Sequence, residues 1–216
     1  MTEALDLLVG NVVQQRVGDT LNQFVQVAYL PVTELAKQPL EEFLASVADG
    51  TPAPGGGSSA AVGAALAAAL VEMAARIASA EGAAERAAEL RGRALRQAER
   101  ELTSYAPVLE ARKPEERTAA LAAASEPPAQ VAEIAADVAE LGAEVAESSS
   151  AAVRGDALTG VVLAEAAAAA AARLVEINVG SGSVLERAQR ASERAVHARA
   201  FATGHPPPPP RAPIPR

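Results

Sequence analysis

Apolar residues recur along this chain at helical spacing, and proline and glycine mark where each run stops. Leu40 to Ala48 places Phe43, Leu44 and Val47 on one side and ends at Asp49-Gly50, which predicts a short helix. In the next run, to about Ser79, Val62, Leu66, Leu70, Met73 and Ile77 share a stripe about 80° wide. Alanine fills most of the remainder, so this helix can be contacted on several faces. Ala83 to Ala111 is a third stretch, rich in Glu and Arg, which Pro107 should kink or end. Pro114 suits the first position of another helix. Beyond Pro127-Pro128, Ala129 to Glu147 carries Val131, Ile134, Val138, Leu141 and Val145 as an amphipathic helix. Asp156 is placed to cap a helix running to about Val179, before Gly180-Ser181-Gly182, and Val184 to Ala202 reads as a last, polar helix. No stretch alternates as a strand does, and no solenoid repeat is present. The expected fold is all-α, a bundle of about five to seven helices.

The segments outside this pattern set the domain boundaries. Residues 1–38 read as a helical leader bounded by Pro31 and Pro39, with one helix over 5–17 or 20–29. Residues 39–204 form the helical domain, and 205–216 is a proline-rich tail expected to be disordered. Aromatic residues make up 2% of the 216 and tryptophan is absent, so the core must come from Ala, Leu, Val and Ile. Small side chains imply closely approaching helices. A net charge of −8 argues against general binding to nucleic acid or to an anionic membrane, so an anionic ligand needs a local site. With no cysteine, and His197 and His205 as the only imidazoles, no metal is expected. The apolar windows 60–71 and 161–172 are alanine-rich, the second contains Glu165, and neither matches the roughly 18 consecutive apolar residues of a spanning helix. No basic segment precedes an apolar one at the start, and a cytoplasmic location is the expectation.

The run Pro52-Ala53-Pro54-Gly55-Gly56-Gly57-Ser58-Ser59 opens directly into the alanine-rich helix. Glycine lets a backbone approach a ligand, and a helix start offers unpaired N–H groups to an anion. Ser58 or Ser59 is a good N-cap there. The plainer reading is a tight loop that only starts a helix. A Walker loop is excluded, because no lysine follows the last glycine. Glu72 lies four residues from Arg76, a spacing that permits an ordinary surface pair, and Glu165 reads more simply as a solvated or interface carboxylate than as an acid catalyst.

Phe43-Leu44-Ala45-Ser46-Val47-Ala48, then Pro52-Ala53-Pro54-Gly55-Gly56-Gly57-Ser58, then Leu70-Val71-Glu72-Met73, resembles the opening of the formiminotransferase-cyclodeaminase C-terminal domain and its methenyltetrahydrofolate cyclohydrolase relatives. The resemblance continues at Ala124 to Ala129, at Asp156 and at Ile177-Asn178, covering roughly Leu40 to Val184. It implies an all-α bundle that forms a homodimer through its long Ala-rich helices. It also implies a tetrahydrofolate derivative as substrate, with a formiminotransferase as a potential partner. The leading reaction is loss of ammonia from 5-formiminotetrahydrofolate to give 5,10-methenyltetrahydrofolate. Hydrolysis of the methenyl compound is the first alternative. By the same resemblance Glu101 and Asp156 are the acid/base candidates, and Pro54, Gly55, Gly56, Gly57, Ser58 and Asn178 the substrate-binding ones. The glycine-rich helix start is a plausible dock for the folate's glutamate carboxylates.

The chain departs from the family pattern at several points. Ser79 to Ala84 replaces a lysine-rich turn, Glu101 stands where an Asp is typical, and Leu174-Val175-Glu176-Ile177-Asn178 keeps only the second of two asparagines. These departures leave a second alternative, a non-catalytic helical protein that binds folate or acts as an interaction module. On one continuous helix Asp156 and Asn178 lie about 33 Å apart, so within one subunit they cannot share a site. An antiparallel dimer would bring them together.

Overall fold

The computed structural model describes residues 35–51 and 53–205. The leader helix expected within 5–29 and the tail from 206 onward lie outside the described residues. A single 3-10 turn, Leu35–Lys37, precedes eight α-helices among the described residues. They are α1 (Leu40–Ala48), α2 (Gly56–Ile77), α3 (Glu81–Ser104), α4 (Ala106–Glu110), α5 (Pro114–Ala124), α6 (Glu126–Ser148), α7 (Ala151–Val179) and α8 (Ser183–Thr203). Six of these run to eleven residues or more, and the described residues contain no strand. The all-α expectation holds.

Local chemistry explains the departures from the expected boundaries. Pro127 and Pro128 do not break α6 but sit inside its first turn, where a missing N–H leaves no helical bond unmade. Helix α7 begins at Ala151 behind Ser150, about one and two-thirds turns earlier than an Asp156 cap requires. Asp156 is therefore a half-buried residue within the helix rather than its cap. Helix α2 starts at Gly56 with Gly55 as N-cap, which puts Ser58 and Ser59 inside the first turn.

Helices α2, α6 and α7 pack on one another, with α3 against α2 and α6, and α8 against α6 and α7. The contacts are made mostly of alanine, joined by fully buried Val71, Val131, Ile134, Val138, Val161 and Val175. Two glycines let the central helices meet. A methyl on Gly142 would lie 2.8 Å from Val161 Cγ2 and 2.9 Å from Val71 Cγ2, and one on Gly160 would lie 2.9 Å from Val71 Cγ2 and 3.0 Å from the Ala67 carbonyl oxygen. Glycine in a helix costs about 1 kcal/mol relative to alanine, and here the close approach offsets that cost.

Apart from Val71, which is fully buried, several of the large residues of α2 lie away from the side that packs inside the chain. Leu66, Met73 and Ile77 are exposed, as are Val162 and Ile177 on α7, while the alanine face of each helix is buried. By length and mean hydropathy α2 and α7 would each serve as a membrane-spanning segment, which the broken apolar runs of the sequence do not suggest. Alanine accounts for the difference, since it counts as apolar without making a helix strongly hydrophobic. About half of each apolar window is buried within the bundle.

Ion pairs finish the outer faces. Arg187 on α8 bridges Glu126 and Glu133 of α6, and Arg194 bridges Asp137 and Glu140. Glu165 pairs with Arg199 of α8, so its carboxylate joins two helices. Glu72 is more than a surface pair: only 9% exposed, it accepts from Arg76 at 2.8 Å and from Arg91 of α3 at 2.9 Å. The Arg76 hydrogen bond, opposed by burial and aided by Arg91, holds its carboxyl below the usual range.

Candidate functional site

The start of α2 faces a cavity of about 230 Å³, closed by the ends of α3 and α7. Gly55, Gly56, Gly57 and Ser58 form one wall, Glu101 and Tyr105 the second, and Leu174 and Asn178 the third. Pro128 from the first turn of α6 completes it. The elements that converge here are far apart in sequence, and the packing of α2 between α3 and α7 brings them together.

Gly55 provides no side-chain cap, and the first N–H of α2 with a helical acceptor is that of Ser59, bonded to Gly55 O at 3.0 Å. The N–H groups of Gly56, Gly57 and Ser58 are thus left without helical partners at the positive end of the helix dipole. The Ser58 hydroxyl does not cap them. It donates to Ala98 O at 3.1 Å and ties the start of α2 to α3. Such a tie holds the first turn in register with Glu101, one turn further along α3.

Glu101 is the chemically distinctive group. Burial pushes its carboxyl up to about 7 from an ordinary 4.5. Its Oε1 is fully buried and has no hydrogen-bond partner. The side chain lies across the Cα of Gly57: a β-carbon there would fall 2.9 Å from Glu101 Cγ and overlap the carboxyl group outright. Glycine at 57 is therefore a steric requirement of the Glu101 position. A carboxyl poised near neutrality can both give and take a proton at physiological pH, while a cluster of free N–H groups stabilises developing negative charge.

The structure places Gly55, Gly56, Gly57, Ser58, Glu101 and Asn178 around one cavity, with Pro54 just outside its lining. Asp156 is elsewhere, about 33 Å from Asn178 along the unbroken α7. The docking of a folate glutamate tail on the glycine loop and acid chemistry at Glu101 compete for the same small space. A cavity of about 230 Å³ is below the usual range for a whole drug-sized ligand and cannot hold both ends of a folate. Sequence reasoning did not single out Tyr105 or Leu174 as wall residues. Tyr105 was within reach of it, four residues after Glu101 and so on the same helical face. His197 and His205 are exposed and do not line the cavity.

Among solved structures, a formiminotetrahydrofolate cyclodeaminase from Thermotoga maritima is similar with a TM-score of 0.74 at 24% identity, covering 79% of this chain and 96% of that one. At that identity the likeness is one of fold. No curated protein matches. The protein-family profile described as Formiminotransferase-cyclodeaminase matches residues 39–197. That span includes the glycine loop, Glu101, Asn178 and most of α8, and the chain belongs to the formiminotransferase-cyclodeaminase family.

Proposed function

We propose that the cavity is the reacting site of a formiminotetrahydrofolate cyclodeaminase, with Glu101 as its acid/base group. The observation that carries this reading is a buried carboxyl, titrating near neutrality, set against unpaired N–H groups of a helix start. In the reaction the protonated Glu101 carboxyl gives its proton to the formimino nitrogen as N10 of the folate adds to the formimino carbon, which forms a tetrahedral centre. N10 loses its proton, the exocyclic amine gains one, and the bond from carbon to that amine breaks to release ammonia. Having given up its own proton, Glu101 takes the one from N10 and returns it to the amine, so one group near neutral pKa serves both halves. The N–H groups of Gly56 and Gly57 and the Asn178 side chain orient the reacting head, and the glutamate tail extends beyond the cavity.

The exposed stripe of Leu66, Met73 and Ile77 on α2, together with Val162 and Ile177 on α7, fits a second copy of the chain. An antiparallel arrangement of the two α7 helices would carry Asp156 of one copy toward the cavity of the other and complete the site.

The test is an absorbance assay for methenyltetrahydrofolate with purified protein, run from the formimino substrate and, in reverse sense, from the methenyl compound with water. Formation of the methenyl product, lost in Glu101→Gln, supports the proposal. Consumption of the methenyl compound alone assigns the hydrolase reaction instead. Calorimetric binding of tetrahydrofolate without turnover assigns a non-catalytic role.

A further inference from the structure

Two buried side-chain oxygens lack hydrogen-bond partners on successive turns of α3. They are Oε1 of Glu101 and Oε1 of Gln97. Residues four apart on a helix are neighbours on one face. Gln97 is only 6% exposed, and an acceptor left bare at such a position is costly.

The orientation of the Gln97 amide follows from charge two residues away. Arg187 donates to both oxygens of Glu126, each at 3.1 Å, and to Glu133 at 2.9 and 3.1 Å. A carboxylate held this way only accepts, so the group that Gln130 turns to Glu126 at 3.1 Å must be its NH2. Gln130 Oε1 then faces Gln97 Nε2 at 2.8 Å, and Gln97 is left presenting its own oxygen to the interior. Reversing either amide would set like groups against each other. In the first turn of α6, Pro127 and Pro128 have no N–H to offer, and Pro128 lines the cavity.

We propose that Gln97 is a positioning residue for Glu101. Its Oε1 accepts the hydrogen bond of the protonated Glu101 carboxyl, directly or through one buried water, and the chain Arg187, Glu126, Gln130, Gln97 fixes that acceptor. The arrangement favours a neutral carboxyl at rest and holds Oε2 beside Gly57. This rests on Glu101 being the acid of the proposed reaction. Around Glu101, α2 presents Gly57 and Ser58, α6 presents Pro128, and α7 presents Leu174 and Asn178, none of them titratable. Tyr105 on the continuation of α3 is the other titratable group in the cavity wall, and Glu126 with Arg187 are the charged groups at the far end of the amide chain.

The test is an NMR titration of the full chain labelled with carboxyl-13C glutamate, the Glu101 signal being identified by its loss in Glu101→Gln. In Gln97→Leu the neutral acid loses its acceptor, and the Glu101 midpoint falls by about one pH unit. If Gln97 only filled space, leucine would make the carboxyl drier and the midpoint would rise. An unchanged or raised midpoint therefore overturns the proposal. A second comparison keeps the question decidable should Gln97→Leu fail to fold. Glu126→Gln frees the amide chain to reverse, so that Gln97 donates to ionised Glu101, whereas Glu133→Gln removes the same charge from Arg187 and leaves the chain intact. The Glu101 midpoint should fall by at least about half a unit more in the first variant than in the second. Equal shifts overturn the proposal. Neither measurement uses folate or turnover, so their failure is distinct from failure of the proposed activity.

Discussion

Gly57→Ala separates the cost to folding from the cost to chemistry. The new methyl would lie 2.9 Å from Glu101 Cγ, where ordinary contact begins at 3.4 Å, and would occupy the space of the carboxyl group itself. The hydrogen bond from Ser58 to Ala98 O on α3 restrains the backbone in the first turn of α2. Glu101 is the mobile partner and must swing away from Gly57. Overpacking of this kind costs about 1–3 kcal/mol, and alanine for glycine in a helix returns about 0.5–1 kcal/mol, so net destabilisation is about 0–2.5 kcal/mol. A catalytic group displaced by about 1 Å loses about 100-fold in rate. The expected result is a folded protein destabilised by no more than about 2.5 kcal/mol, with kcat/KM for methenyltetrahydrofolate formation reduced by about 100-fold or more. Gly82→Ala is the control, since Gly82 holds the same second position in α3 and a β-carbon there meets nothing within 4 Å. Activity of Gly57→Ala within about threefold of the parent, with Glu101→Gln inactive, would refute the steric argument.

Further outcomes follow from the same geometry. Because Glu101 titrates near 7 when folded and near 4.5 when not, the folded state holds the extra proton between those values and stability falls as pH rises through that window. Glu101→Gln should therefore be more stable than the parent at pH 8 by on the order of 3 kcal/mol and nearly equal at pH 4.5, as read from urea unfolding at both pH values. Gly160→Ala sets a methyl 3.0 Å from the Ala67 carbonyl oxygen, a backbone atom of α2, and should lower the unfolding free energy by about 1–3 kcal/mol. Arg194→Met removes a partly exposed bridge to Asp137 and Glu140, and its cost of about 1 kcal/mol at low salt should shrink in 1 M NaCl. Co-expressing Glu101→Gln with Asp156→Asn should restore activity that neither variant has alone, if two copies complete one site. An inactive mixture would rule out a site completed by a second copy, and full activity of Asp156→Asn alone would place Asp156 outside the reaction.

The helices were legible in the sequence where residue size and period agreed. Val131, Ile134, Val138, Leu141 and Val145 of α6 are all buried, as their spacing requires. The stripe on α2 has the same period, but its Leu66, Met73 and Ile77 face outward, because in an alanine-rich helix the small side admits the closest neighbours. Pro127 and Asp156 each carry a helix-start signal, yet Ser125 and Ser150 stand at the N-cap positions. Local signals rank such positions poorly when several compete. At the cavity, the glycine loop could be read from residue order, and Glu101 only through the family resemblance. The state of Glu101 could not, since it follows from burial by three other helices and from the absence of a donor. Gln97 carries no sequence signal at all, and only the chain of amides leading to Arg187 gives it meaning.

Alanine side chains have no rotamers, so the surfaces along which α2, α6 and α7 meet are nearly smooth rails. Such surfaces resist sliding weakly, because a shift of one turn replaces alanine with alanine. Axial register must then be set by a few uneven points. Gly142 and Gly160 are two such notches, the first receiving Val71 and Val161 and the second Val71. The Arg187 and Arg194 bridges fix α8 against α6 in the same way. Asn178 stands across from Glu101 because these few teeth engage at one setting, and the distance between two chemical groups at the ends of long helices is thereby determined in the middle of them.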